Sequence, residues 1–191
     1  MKFEDIPFPC KYSTKFRLRI YYTLPKLEYA AVVYLNIKSN YIVPVRIHSS
    51  CLTGDIFHSL KCDCNEQLTT ALKYIAYNNM GMVIYLPQEG RGIGLVNKIK
   101  AYKLQNEGLN TFEANSFLKL PIDARDYSIC PAILQDFNIR KIELITNNPH
   151  KFKALHDSTM ISFIKYKRMH VEPNKYNSKY LKDKHSLFSK L

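Results

Sequence analysis

The sequence contains no apolar run close to the roughly 20 residues that a membrane-spanning helix needs, so no membrane partner is expected. It does not begin with the charged and then apolar segment of a secretory leader, and a cytoplasmic location is expected. It has no internal repeat and no low-complexity stretch, which excludes repeat architectures. Cysteine is scarce, at five residues. In a reducing compartment, clustered thiols point to metal or catalysis before disulfides. Acidic residues are also short, 16 against 28 lysines and arginines, and the net charge is +12. That excess attracts polyanions (nucleotides, nucleic acid or an acidic membrane surface), and charge alone does not choose among them. What remains is ordinary: 191 residues, 46% apolar and 23% charged, suit one domain with enough material for a core.

Patterning places the elements. "KFRLRIYY" (15–22) alternates apolar and basic residues, which predicts a half-buried strand with Phe16, Leu18, Ile20 and Tyr22 on one face. "YAAVVYLNI" and "YIVPVRI" predict two more strands, the second broken or edged by Pro44, so the N-terminal part reads as a meander leading to His48. "EQLTTALKYIAYNN" spaces Leu68, Ala71, Leu72, Ile75 and Ala76 for a helix. "MVIYL" predicts a buried strand, followed by the glycine-rich "PQEGRGIGL" and a helix that ends at Gly108. "ICPAILQDF" predicts a helix with Pro131 in its first turn, "KIELIT" a strand, "NNPHKFKAL" a turn opening a helix, and "MISFIKY" a last strand. The expected fold class is mixed α/β: an N-terminal β-meander and a βα-alternating core sheet flanked by helices. Much of the positive charge falls in the last third, where a solvated basic tail and a binding face both fit the pattern.

Three of the five cysteines, Cys51, Cys62 and Cys64, lie in "CLTGDIFHSLKCDC". The spacing C-x10-C-x-C matches neither the paired C-x2-4-C knuckles of zinc fingers nor the C-x-x-C redox motif. Three thiolates on one zinc ion leave a fourth position open for water, which is the catalytic arrangement, and zinc lowers the pKa of such a water towards neutrality. Asp63 lies between two ligands in an extended segment and should point away from them. His48 and His58 flank the cluster as further ligand candidates. Three buried, inert thiols are the plain alternative.

The glycines of "EGRGIG" let the backbone approach a ligand, and the helix start after them offers unpaired N–H groups. The pattern is not a P-loop, because no lysine followed by serine or threonine closes it. Arg46, Arg91, Arg125 and Lys151 are cations suited to phosphates, and Gln67 or Glu89 could read a base edge. Tyr102 falls at helical spacing with Leu95 and Ile99, which also fits a core tyrosine.

Together "RIHSSCLTGD", "KCDC", "QEGRGIGL", "NKIKAYKLQ", "EAN", "ARDYSI" and "TNNPHK" resemble the GTP cyclohydrolase II family of riboflavin biosynthesis. The seven motifs run in register from Arg46 to about Lys151, with a fainter echo in "NSKYLKDK". The resemblance implies a catalytic domain over 1–172 and a basic polar tail over 173–191. It implies hydrolysis of GTP at carbon 8 with release of formate and pyrophosphate, leaving a diaminopyrimidinone ribosylamine 5′-phosphate. It further implies one zinc per subunit on Cys51, Cys62 and Cys64, magnesium with the triphosphate, and a homodimer. Asp123 matches the family's proton acceptor, Arg125 the arginine acting at the α-phosphate, and Tyr102 a tyrosine near the ring being opened. Nucleotide contacts would fall on Arg46, Ile47, His48, Ser49, Ser50, Gln67, Glu89, Gly90, Arg91, Thr111, Thr146 and Lys151.

The chain departs from the pattern in places. Ser50 stands where the family has glutamate, Pro87 where it has arginine, and Asn65 where a glycine follows "CDC". The glycine of the family's N-terminal entry motif is likewise replaced within "CKYSTKFRL". The first two changes remove one acidic and one basic group. Two alternatives therefore stand beside the family reaction. One is a diverged paralogue acting on GTP or a related purine nucleotide. The other, of a different class, is a zinc-stabilised nucleic-acid binder, against which the chain has no recognised binding signature.

Overall fold

The computed structural model describes residues 1–23, 29–178 and 181. The basic tail beyond Ser178, Leu181 apart, lies outside the described residues, and so does most of "NSKYLKDK". The described residues form two compact units. The first takes in residues of 1–48, 67–87 and 127–170, and the second those of 49–66, 88–126 and 171 onward.

The first unit carries a seven-stranded mixed sheet in the order β1-β2-β3-β5-β4-β6-β7. Its strands are β1 (Lys2–Pro7), β2 (Arg17–Tyr22), β3 (Tyr29–Leu35), β4 (Val43–Ser49), β5 (Gly81–Leu86), β6 (Lys141–Ile145) and β7 (Phe163–Lys167). Helices α1 (Cys64–Tyr77), α4 (Ile129–Asp136) and α5 (Pro149–His156) accompany them, the first turn of α1 falling in the second unit. The class is mixed α/β, as the alternating pattern predicts. Pro149 opens α5 and Asn148 caps it, accepting a bond from the His150 N–H.

The meander consists of β1, β2 and β3, not of β2, β3 and β4. β3 pairs with β5, and β4 lies between β5 and β6, parallel to β6. Pro44 therefore sits near the start of a central strand and not at an edge. Beside it Gly81 lets β5 approach closely, since a Cβ there would lie 2.7 Å from the Pro44 carbonyl oxygen. Residues Val43 to His48 are all buried, so that Arg46 and His48, which alternate with Val45 and Ile47, are enclosed as well.

Val45, Ile47, Ile84, Ile142 and Leu144 from the sheet pack with Ile133, Leu134 and Leu155 from α4 and α5. Each such side chain contributes about 1.5–3 kcal/mol through removal from water. On β2 the predicted face is only partly covered, and Tyr21 on the other face is buried in the core. The reason is local. The Arg19 guanidinium lies 4.1 Å from the Phe3 ring centroid and 4.3 Å from that of Phe137, and it bonds Asp5 and Asp136. Tyr21 follows it inward and donates its hydroxyl to Asp136.

The second unit contains a π-helical turn (Leu52–Ile56), a short 3-10 turn (Glu89–Gly92), α2 (Leu95–Asn106) and α3 (Thr111–Phe117). The sequence reading contains no counterpart to α3. Its start is an N-cap box in which Asn110 and Glu113 each satisfy the other's backbone N–H. Among the described residues no helix is long and apolar enough to cross a membrane.

Candidate metal centre and anion-binding residues

In the second unit the chain folds so that three sulfurs converge. Cys51 leads into the π-helical turn, its carbonyl accepting from the Asp55 N–H at 2.7 Å and its own N–H donating to the Asp55 carboxylate at 3.0 Å. Cys62 and Cys64 return the chain beside it, and Cys64 opens α1. The three Sγ atoms lie within 4.8 Å of one another, with Cys51 and Cys62 3.7 Å apart. Gly54 leaves the room they need: a Cβ there would lie 2.9 Å from the Cys62 Sγ and 3.2 Å from that of Cys51. Asp63 is buried but does not join the ligand group. Neither His58 nor His48 belongs to it among the described residues, and His48 stacks on Tyr85 in the first unit.

Three soft sulfur donors, two buried and one partly buried, with no fourth protein ligand grouped with them among the described residues, suit zinc with an open position. Hydrogen bonds from Cys62, then from Cys64 and Lys98, hold the Cys51 thiol far below its usual range despite burial. Its hydrogen bond to Cys51 pushes Cys62 up to about 11, and the same bonding raises Cys64. One thiolate with two donor thiols around it is the state a metal would replace with three thiolates.

Lys98, which was not among the sequence candidates, lies at this cluster. Its ammonium donates to the Cys51 Sγ at 3.1 Å, the Thr53 hydroxyl at 2.8 Å and the Glu89 carboxylate at 2.9 Å. Glu89 also accepts from the Leu52 N–H at 2.6 Å and from the Gly90 N–H at 2.9 Å. Its carboxylate therefore joins the glycine loop to the cysteine turn. Gly90 and Arg91 both adopt left-handed backbone, with φ of 62° and 61°. At Arg91, a residue with a Cβ, that conformation is strained and marks a position under constraint. The Arg91 carbonyl accepts from the Ala124 N–H at 2.9 Å, which brings the 123–125 segment to the loop.

In that segment Arg125 grips Asp123 through Nε and Nη2, the first bond 2.8 Å long. Burial alone would raise the Asp123 carboxyl, but the Arg125 bonds outweigh it and hold the group below the usual carboxylate range. Tyr102 shares a face of α2 with Lys98, whose ammonium is 5.7 Å from its ring centroid. Thr111 is the first residue of α3, Ser50 is half-buried, and the buried Ser49 Oγ has no partner among the described groups.

In the first unit the remaining candidates gather where β4 and β6 end side by side. Arg46 is buried and donates to the Ile145 carbonyl at 3.1 Å and to the Gln67 side chain. Lys151, in the first turn of α5, donates to the Ile47 carbonyl at 2.9 Å. The Thr146 hydroxyl accepts from the Asn148 N–H. Two buried cations beside the carboxyl ends of parallel strands and a helix start form the usual place for an anion in an α/β sheet.

A family model described as GTP cyclohydrolase II matches residues 2–161. Over 181 residues the chain is 46% identical to the riboflavin biosynthesis protein RibBA of Endomicrobium trichonymphae, covering 94% of this chain and 44% of that protein. It is 47% identical over 157 residues to a GTP cyclohydrolase-2 of Picrophilus torridus, covering 82% of this chain and 81% of that one. A GTP cyclohydrolase-2 of Neisseria meningitidis is 45% identical over 157 residues, covering 82% and 79%. The chain thus spans less than half of the RibBA relative and about four-fifths of the other two.

Proposed function

Because the chain belongs to the GTP cyclohydrolase II family, we propose that it hydrolyses GTP, opening the imidazole ring with release of formate and pyrophosphate in riboflavin biosynthesis. The observation that carries the reading is the convergence of Cys51, Cys62 and Cys64, which matches the donor set of a hydrolytic zinc site. Zinc bound there supplies Lewis-acid activation of water for the ring opening.

The chain's own groups take the remaining roles. Arg46 and Lys151, with the Thr146 hydroxyl and the start of α5, are suited to phosphate oxygens, and magnesium accompanies the triphosphate. Arg91 and Arg125 add guanidinium donors in the second unit, Arg125 acting at the α-phosphate. Asp123 holds Arg125 in plane and takes up a proton. Tyr102, beside the cysteine centre on α2, orients the ring. Ile47, His48, Ser49, Ser50, Gln67, Gly90 and Thr111 complete the nucleotide contacts, and Glu89 braces the loop that carries Gly90 and Arg91.

The protein acts as a homodimer in the cytoplasm. Exposed Ile56, Phe57, Val96 and Phe117 on the second unit support self-association, and reactive free thiols suit a reducing compartment. The test is incubation of the purified protein with GTP, zinc and magnesium, followed by product mass spectrometry. Formate and pyrophosphate in equal amounts are expected. Pyrophosphate without formate would instead identify a diverged enzyme, consistent with Ser50 and Pro87 in place of the family's charged residues.

A further inference from the structure

Lys98 is a buried lysine at the thiol cluster for which the proposed reaction so far supplies no role. Its side chain is 9% exposed. An ammonium has three protons to donate, and the three acceptors named above use them all. The arrangement is unusual for α2 as a helix. Lys98 is turned inward while Val96 and Ile99 are exposed, the reverse of what polarity alone would give. The helix is therefore oriented to place a fixed positive charge against the Cys51 sulfur. Glu89 and Thr53 hold it there.

Three thiolates over a divalent metal leave a net charge of about −1 in the ligand shell, and in a buried site that charge is poorly screened. An ammonium donating to one sulfur offsets it and draws electron density from the sulfur, which leaves the metal a stronger Lewis acid. We propose that Lys98 is a positioning residue of the metal centre, compensating the charge of the three-thiolate shell through its bond to Cys51. The inference rests on the metal reading above. It also differs from two simpler roles. A lysine serving only to pair Glu89 would leave the sulfur electronically unchanged, and one serving to bind GTP would alter substrate affinity first.

The experiment replaces zinc by cobalt(II) in the wild type, Lys98→Met and Lys98→Arg, and records the sulfur-to-cobalt charge-transfer band. Loss of the donor raises the energy of the sulfur lone pair, so in Lys98→Met the band is expected to move to longer wavelength, with Lys98→Arg returning towards the wild type. In the zinc enzymes kcat should fall roughly 10–100-fold in Lys98→Met, the cost typical of an outer-shell partner, with KM for GTP unchanged. A folded Lys98→Met protein with an unshifted band overturns the proposal, as does a raised KM with kcat retained. A wild-type protein that binds cobalt without any sulfur band overturns the metal reading and this inference together. If Lys98→Met does not fold, Lys98→Gln keeps a hydrogen-bond donor without the charge, and its band decides the question by the same criterion.

Discussion

Arg125 and Asp123 hold each other through two parallel bonds while standing only two residues apart in the chain. The geometry fixes the plane of the guanidinium before any ligand arrives, and it keeps the carboxylate ionised. Arg125→Ala is therefore expected to slow pyrophosphate release from GTP by more than about 10²-fold, to a residual rate still measurable at high enzyme concentration. Asp123→Asn leaves the arginine in place but loosens it, and should slow release by about 10²-fold, the cost of a misplaced catalytic group. If Asp123 works through Arg125, the double variant is no slower than Arg125→Ala alone. A double variant slower by the product of the two single effects would show that the residues act separately.

Removing a sulfur tests the metal centre directly. Cys62→Ser should lose most of the bound zinc in elemental analysis and lose formate release with it. The circular dichroism of the sheet should change little, because the sheet lies in the other unit. Turnover that persisted without zinc would refute the metal's catalytic role.

A substitution outside the ligand set makes a finer test. Gly54→Ala adds one carbon at a point 2.9 Å from both the Cys62 Sγ and the Cys64 Cβ. Something must give way, and overpacking of this kind typically costs about 1–3 kcal/mol. The Sγ atoms of Cys62 and Cys51 and the Cβ of Cys64 are the neighbours that have to move, so zinc affinity measured by chelator competition should fall, although every ligand is retained. Undiminished affinity would mean that the cysteine turn shifts as a whole.

The residues that were legible in the sequence carried their information locally. Cys51, Cys62 and Cys64 are tied by clustering, Asn148 and Pro149 by helix-start chemistry, and "MVIYL" by a short unbroken apolar run typical of a buried strand. Helix α3 was missed, although the N-x-x-E of its capping box, Asn110 and Glu113, is a local signal that could have placed its start. Lys98 was not legible. On a helix a lysine reads as part of the solvated face, and only the tertiary arrangement of Cys51, Thr53 and Glu89 reverses that. Pro44 misled for a related reason, because the central place of its strand between β5 and β6 is set by pairing with residues distant in the sequence. The burial of Tyr21, on the face opposite Leu18 and Ile20, was not legible because its neighbour on that face, Arg19, is held by two aromatic rings and two carboxylates that lie far away in the sequence.

The partly buried arginine network around Asp5 gives the stability of the first unit a defined dependence on pH. Asp5 accepts from Tyr34 at 2.7 Å, from Arg19 at 2.7 Å and from Arg17 at 2.8 Å. Burial on its own would raise the carboxyl, but these three donors outweigh it and lower its pKa. A carboxylate with a depressed folded-state pKa stabilises the fold fully above its unfolded value of about 3.9 and loses that contribution as pH falls through the folded value. Asp5→Asn keeps the shape and removes the titration. Urea unfolding should therefore show the wild type more stable than the variant by a constant margin from neutrality down to about pH 4, with the margin shrinking on further acidification. A margin that grew with acid would mean that Asp5 is stabilised in its protonated form, and the network would then owe its stability to packing of Arg19 between Phe3 and Phe137 instead of to charge.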